Sequence, residues 1–172
     1  MSNRTQSPAS HMPSGGVKHY GQHNFNAERQ DPYQSTGKYR EPTRCSDCGV
    51  VYHHGRWEWG PAPLDAQGAV CPACRRIRDK SPAGTVVLDG AFAVEHRQDL
   101  LRLVRNEAER EGKEHPLNRL MQVEERPERV EVTTTDIHLP RRIGEALKRA
   151  YDGELDIKFG RDEYTVRVYW HR

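Results

Sequence analysis

Four cysteines stand in two doublets, Cys45-Ser46-Asp47-Cys48 and Cys71-Pro72-Ala73-Cys74. A two-residue spacer lets a tight turn present both sulfurs to one ion, and zinc takes four such ligands in a tetrahedron at about 2.3 Å each. Two doublets fill that shell. The spacing therefore predicts one structural Zn2+ held by Cys45, Cys48, Cys71 and Cys74 in a zinc ribbon. Four thiolates leave no open position for water or substrate, which argues against catalysis at the metal. His53 and His54 could replace a cysteine, but adjacent residues of a strand point to opposite faces. A redox dithiol would need only one doublet and leaves the second unexplained.

Other chemistry gathers around arginine. Arg75, Arg76, Arg78 and Lys80 follow the second doublet, and Arg56, Trp57 and Trp59 lie between the doublets. Zinc modules that bind RNA combine guanidinium groups for phosphates with indole faces for unpaired bases, each stack contributing about 1–3 kcal/mol. The tryptophans have a second reading, packing the ribbon against a neighbouring domain, because so small a module has little else to bury. Further on, Thr133, Thr134 and Thr135 lead a strand to a helix start, where free N–H groups favour an anion. Thr134, Thr135, His138, Arg141, Arg142 and Arg149 are the candidate phosphate contacts there. The alternative makes the threonines strand formers, Asp136 an N-cap and the arginines the solvated face of an amphipathic helix. The sequence holds no nucleophile–base–orienter set, HExxH or Gly-rich phosphate loop, so it predicts a protein that is not an enzyme.

The elements that must position these groups divide the chain of 172 residues into three. Residues 1–42, rich in Ser, Gly, Pro, Asn and Gln without apolar period, predict a disordered tail. Residues 43–80 form the ribbon, with a hairpin turning near His54-Gly55, and a module so small depends on its metal to fold. Residues 84–172 alternate strand and helix patterns in the order β-α-β-β-α-β-β. That order defines an α+β domain and contains the βαββαβ unit of ferredoxin-like folds, with one strand added by the final hairpin. Tyr164, Val166, Val168 and Trp170 alternate toward its core, leaving Thr165, Arg167, Tyr169 and His171 on the other face.

Composition narrows the partners. The formal charge is only +2, with 34% hydrophobic and 30% charged residues, so net charge alone does not drive nucleic-acid binding and local patches must. No run of about 18 apolar residues occurs and the N-terminus lacks an apolar signal stretch, which predicts a cytoplasmic protein with no membrane partner. Thiols stay reduced there, which favours metal ligation over disulfides.

The chain resembles a family of small bacterial zinc-ribbon proteins over about residues 31–170, through DPY, EPTRC, YHHGRWEWGPAP, CPACRRIRD followed by PAGTV, EHPLNR, and TTTDIHLPRRIGEALKRAYDGEL. Its C-terminal half is also distantly similar to the archaeal and eukaryotic adaptor family that binds the large ribosomal subunit during export, in which Cys doublets precede α+β domains. This chain has two doublets where that family usually has more. The resemblance implies binding to the ribosome, its RNA or another structured RNA. The leading expectation is thus a non-enzymatic zinc protein, monomeric away from its RNA partner. The alternatives are a protein-interaction adaptor docking a polypeptide through Trp57 and Trp59, and a redox or metal-handling enzyme.

Overall fold

A computed structural model describes residues 31–34, 39–161 and 163–172. Most of the tail expected to be disordered, residues 1–30 and 35–38, lies outside the described residues. Its last part needs correcting. Asp31 is buried, and Tyr39 packs its ring on Tyr52 and Trp57 at 5.2 and 5.0 Å. Ordered contacts with the ribbon therefore begin before Thr43.

The ribbon is built on four short strands: β1 (Thr43–Cys45), β2 (Val51–His53), β3 (Arg56–Glu58) and β4 (Gln67–Ala69). They form one sheet in the order β3-β2-β1-β4, with β4 parallel to β1 and the other pairs antiparallel. The β2–β3 hairpin turns at His54 and Gly55, as expected, with φ of 51° and 78°. Positive φ at both central residues is what a type I′ turn requires. Glu41 secures this turn by accepting hydrogen bonds from the N–H groups of His54 and Gly55 at 2.8 and 3.0 Å. Helix α1 (Pro72–Asp79) begins inside the second doublet, where Pro72 occupies a position that needs no N–H, and ends on Lys80 in the left-handed region.

The second unit follows the expected element order: β5 (Gly84–Asp89), α2 (Ala91–Glu95), α3 (Arg97–Glu114), β6 (Leu120–Glu125), β7 (Arg129–Thr134), α4 (His138–Tyr151), β8 (Glu154–Phe159) and β9 (Val166–His171). The first helical pattern is divided in two at His96. The five strands lie in the order β6-β7-β5-β9-β8, with β9 parallel to the central β5 and the remaining pairs antiparallel. The final strand therefore inserts beside β5 and moves β8 out to the edge. Side chains alternate as period-2 strands must. Val86, Leu88, Val132, Val168 and Trp170 share one core with Leu100, Val104, Leu139, Ile143 and Leu147 of α3 and α4. Trp170 is fully buried and its indole N–H donates to the Asp152 carbonyl at 2.8 Å, so its one polar atom is satisfied.

The opposite face of this sheet presents Arg129, Lys158 and Arg167 among Asp89, Glu124, Glu131, Glu154 and Asp156. His171 is engaged with Asp89 at 2.8 Å. Acids outnumber bases there, which is a poor surface for a phosphate backbone. No helix among the described residues is long and apolar enough to cross a membrane.

Gly84 shows how tightly β5 meets the start of α4. A Cβ there would overlap the Pro140 ring and the Thr134 hydroxyl, and would stand 2.6 Å from the Asp136 carbonyl oxygen. Gly84→Ala is expected to cost about 2–3 kcal/mol by overpacking, read as a lowered Tm. Gly112→Ala is the control. Its Cβ meets nothing nearer than 3.7 Å and improves helix propensity, so stability should hold or rise by up to about 1 kcal/mol.

Candidate metal centre and basic groove

Two turns bring the four thiols together. In the first, Cys45 closes a reverse turn, its N–H donating to the Val50 carbonyl at 2.7 Å and its carbonyl accepting from Gly49 at 3.0 Å. Gly49 has a φ of 79°, which glycine adopts without strain. In the second, Cys71 caps α1, its sulfur accepting the Cys74 N–H at 3.4 Å. The two turns are tied directly, because the Cys71 N–H donates to the Cys45 sulfur at 3.3 Å. All four sulfurs lie within 4.8 Å of one another. Cys48 and Cys71 Sγ are 3.8 Å apart. That is the edge of a tetrahedron whose metal–sulfur bonds are about 2.3 Å. Cys45, Cys48, Cys71 and Cys74 are therefore positioned to hold one metal ion.

The thiols are unequal. Burial pushes Cys74 up to about 11 and Cys71 higher still. Burial also raises Cys45, but N–H groups of Cys71, Cys48 and Asp47 outweigh it and bring that thiol down to about 6. A metal ion would displace protons from the buried pair, the usual coupling of thiolate ligation to proton release.

A residue that sequence reasoning missed completes the centre. Arg119, just before β6, donates to Cys48 Sγ at 3.2 Å and to Cys74 Sγ at 3.6 Å. Burial opposes its charge, yet the sulfurs of Cys48, Cys71 and Cys74 together more than offset this, and the guanidinium binds its proton more tightly than usual. Its Nε donates to the Pro116 carbonyl and its plane sits 5.4 Å from the Trp59 ring centre. Trp59 in turn donates its indole N–H to the Gly112 carbonyl at 2.7 Å. The indole is thus fixed between the ribbon and α3, with 48% of the residue still exposed. Trp57 packs with Tyr39 and Tyr52 against the cysteine core.

The predicted contact residues separate into three groups. Several are engaged inside the protein. Arg76 is 3% exposed, ion-paired to Asp31, donating to the Ser81 carbonyl at 3.0 Å and stacked 4.3 Å from the Tyr33 ring centre. Arg75 donates to the Tyr33 carbonyl and to the Tyr39 hydroxyl, the latter at 2.9 Å. Thr134 and Thr135 are buried, their hydroxyls donating to the carbonyls of Asp136 and Leu117 at 2.7 and 2.6 Å. Arg76, Thr134 and Thr135 have no edge left for a phosphate, which corrects the expectation for them. Asp136 proves to be a helix cap, accepting the His138 and Leu139 N–H groups at 2.6 and 2.9 Å.

A second group is exposed but paired or solitary. Arg56 pairs with Glu58 at 3.3 Å and Arg78 with Asp47, while Lys80 is exposed at the end of α1.

The third group comes together. His138, Arg141, Arg142 and Arg149 form one exposed stripe of α4 and line a groove against α3 with Arg110 and His115. Its volume is about 520 Å³. The carboxylate of Glu111, 3% exposed, lies at its floor. It is ion-paired to Arg142, whose Nε lies 3.0 Å away, and accepts a hydrogen bond from the Asn118 amide at 2.9 Å. Arg141 and Arg149 have no carboxylate partner among the described residues.

No family model, curated protein or solved structure matches the chain. Its class therefore rests on its own geometry: a small module with four cysteines positioned to hold a metal ion, joined to an α+β domain.

Two outcomes follow from these contacts. Asp31→Ala leaves Arg76 buried without its counter-ion and should cost about 3–5 kcal/mol in a denaturant titration, whereas the Asp31→Ala, Arg76→Met pair should recover much of that. Arg119→Ala spares all four cysteines but removes the cation beside them. Metal capture by a chromogenic chelator should then proceed at least tenfold more readily, the usual scale for a lost partner of a ligand.

Proposed function

We propose that Cys45, Cys48, Cys71 and Cys74 hold one structural Zn2+, and that the protein is a non-enzymatic cytoplasmic factor that binds the ribosome or another structured RNA. Sulfur-only ligation in a tetrahedral set suits zinc, and a shell closed by four thiolates supplies a scaffold rather than a reaction centre. The second domain reads as a ferredoxin-like unit whose extra strand is intercalated next to β5.

One observation carries the RNA reading. Of the basic groups singled out along the sequence, those on α4 converge: Arg141 and Arg149, exposed and without an ion pair among the described residues, line one groove with His138 and Arg142, although Glu145 stands between them on the same helix. Arginine forks of this kind match phosphate oxygens. The acidic excess on the open sheet face directs the same backbone away from that side. The adaptor reading is less well supported, since Trp57 is packed internally and the Trp59 indole N–H is already bonded to Gly112, although the Trp59 ring is half exposed.

Sedimentation of lysate at low salt should place the protein with a ribosomal particle, and raising salt should release it. A protein that stays at the top of the gradient at low salt would contradict this reading. Elemental analysis of freshly purified reduced protein should give one zinc per chain, and chelation should unfold the ribbon, whose metal contributes on the order of 10 kcal/mol.

A further inference from the structure

The groove between α3 and α4 has a floor that the RNA reading alone does not explain. Glu111 is a fully buried acid in a place meant for an anion. Left alone, a buried carboxylate would repel phosphate and would itself be costly to desolvate. Here Arg142 Nε stands 3.0 Å from one oxygen as an ion pair, and the other accepts from the Asn118 amide with His115 4.0 Å away. Holding an arginine through Nε leaves the two terminal nitrogens of its fork available, and 48% of the Arg142 side chain is exposed at the groove. Glu111 therefore presents Arg142 in a fixed direction, flanked by Arg141 and Arg149.

Charge alone is a weak reason for an anion to bind here. Four arginines line the groove against three glutamates. Arg110 is engaged by Glu107, and Glu145 opposes one of the remaining cations. Whatever selectivity the groove has must come from where the guanidinium groups point. Its volume of about 520 Å³ suits a ligand of nucleotide size.

We propose that the α3–α4 groove is a phosphate-binding site for one backbone segment of RNA, with Arg141, Arg142 and Arg149 making the contact and Glu111 as the residue that positions Arg142. The proposal rests on the RNA reading above and assigns its site. The floor is also anchored to the metal centre through chain neighbours. Asn118, which bonds Glu111, precedes Arg119, which bonds the thiols; Gly112, which follows Glu111, accepts the Trp59 indole.

The test titrates a labelled single-stranded oligoribonucleotide into the full-length, zinc-loaded protein, with inorganic phosphate as competitor and circular dichroism as the check on folding. Arg141→Glu with Arg149→Glu should weaken binding at least tenfold and flatten its salt dependence by about one to two phosphates. Should charge reversal disturb folding, Arg141→Gln with Arg149→Gln replaces it, with a smaller loss in the same direction. Glu111→Gln discriminates between mechanisms. It adds a net positive charge to the groove, so simple attraction predicts tighter binding, whereas loss of positioning predicts about three- to tenfold weaker binding. Tighter binding overturns the role of Glu111. Undiminished binding by the arginine variants, while the wild type binds RNA, overturns the groove as the site and leaves the RNA reading standing. Binding of phosphate read directly by calorimetry, with no oligoribonucleotide binding, overturns the RNA assignment, and a wild type that binds neither probe and does not sediment with ribosomes overturns both.

Discussion

The contact between Arg119 and the sulfurs of Cys48 and Cys74 is the constraint on which the arrangement of this protein turns. Four thiolates around a divalent ion carry a net charge of about −2, and in a small module there is little polar surface to absorb it. The ribbon does not neutralise that charge from within. Its own nearby arginines are committed elsewhere, Arg76 to Asp31 and Arg78 to Asp47. The cation beside the sulfurs is supplied from just before β6 in the other domain, so the thiol cluster and the α+β domain meet at Arg119. Trp59 reinforces the same junction by stacking on Arg119 and bonding the C-terminal turn of α3.

Arginine serves three separate purposes in this chain, and the difference lies in burial rather than in sequence. Arg75 and Arg76 are framework residues: they gather the DPY segment, two tyrosines and the end of α1 into one packed unit. Arg56 and Arg78 form exposed ion pairs, which contribute little stability. Among the described residues singled out for RNA contact, the α4 stripe is where exposed arginines converge in one groove. A run of basic residues following a zinc knuckle is thus an ambiguous signal, because a helix of two turns points successive side chains around its full circumference. Arg76 falls on the inner side of α1 and Arg78 on the outer side.

What the sequence made legible was whatever depends on local pattern. The Cys doublets, the turn at His54-Gly55, the cap at Asp136, the alternation from Val166 to Trp170 and the element order all follow from short-range spacing, and each stands in the structure. The insertion of β9 beside β5 was not legible, because strand order depends on pairing between residues more than 80 positions apart. Arg119 was equally hidden. It stands 71 residues from Cys48, and nothing in its flanking sequence separates it from the other arginines. DPY and EHPLNR supported a resemblance without any assigned role; the structure gives them one, Asp31 as the partner of Arg76 and Arg119 as the partner of the thiols. Glu111 looked like one charge among many in a polar helix. Its significance arises only from α4 closing over it.

The same geometry alters what a structural metal means here. A closed shell is usually regarded as inert support, remote from whatever the protein recognises. In this chain the separation is one peptide bond on each side: Arg119 grips the sulfurs while Asn118 holds the groove carboxylate, and Gly112 receives the ribbon indole while Glu111 orients Arg142. Thr135 closes the loop from the α4 side, exchanging hydrogen bonds with the Arg119 backbone at 2.9 and 3.0 Å just ahead of the helix. The sulfur cluster, the groove floor and the start of α4 are thus joined through adjacent residues. If metal binding stabilises the ordered groove, reciprocity of linkage requires that a groove ligand stabilise the metal-bound form to the same degree, even though the two sites share no atom.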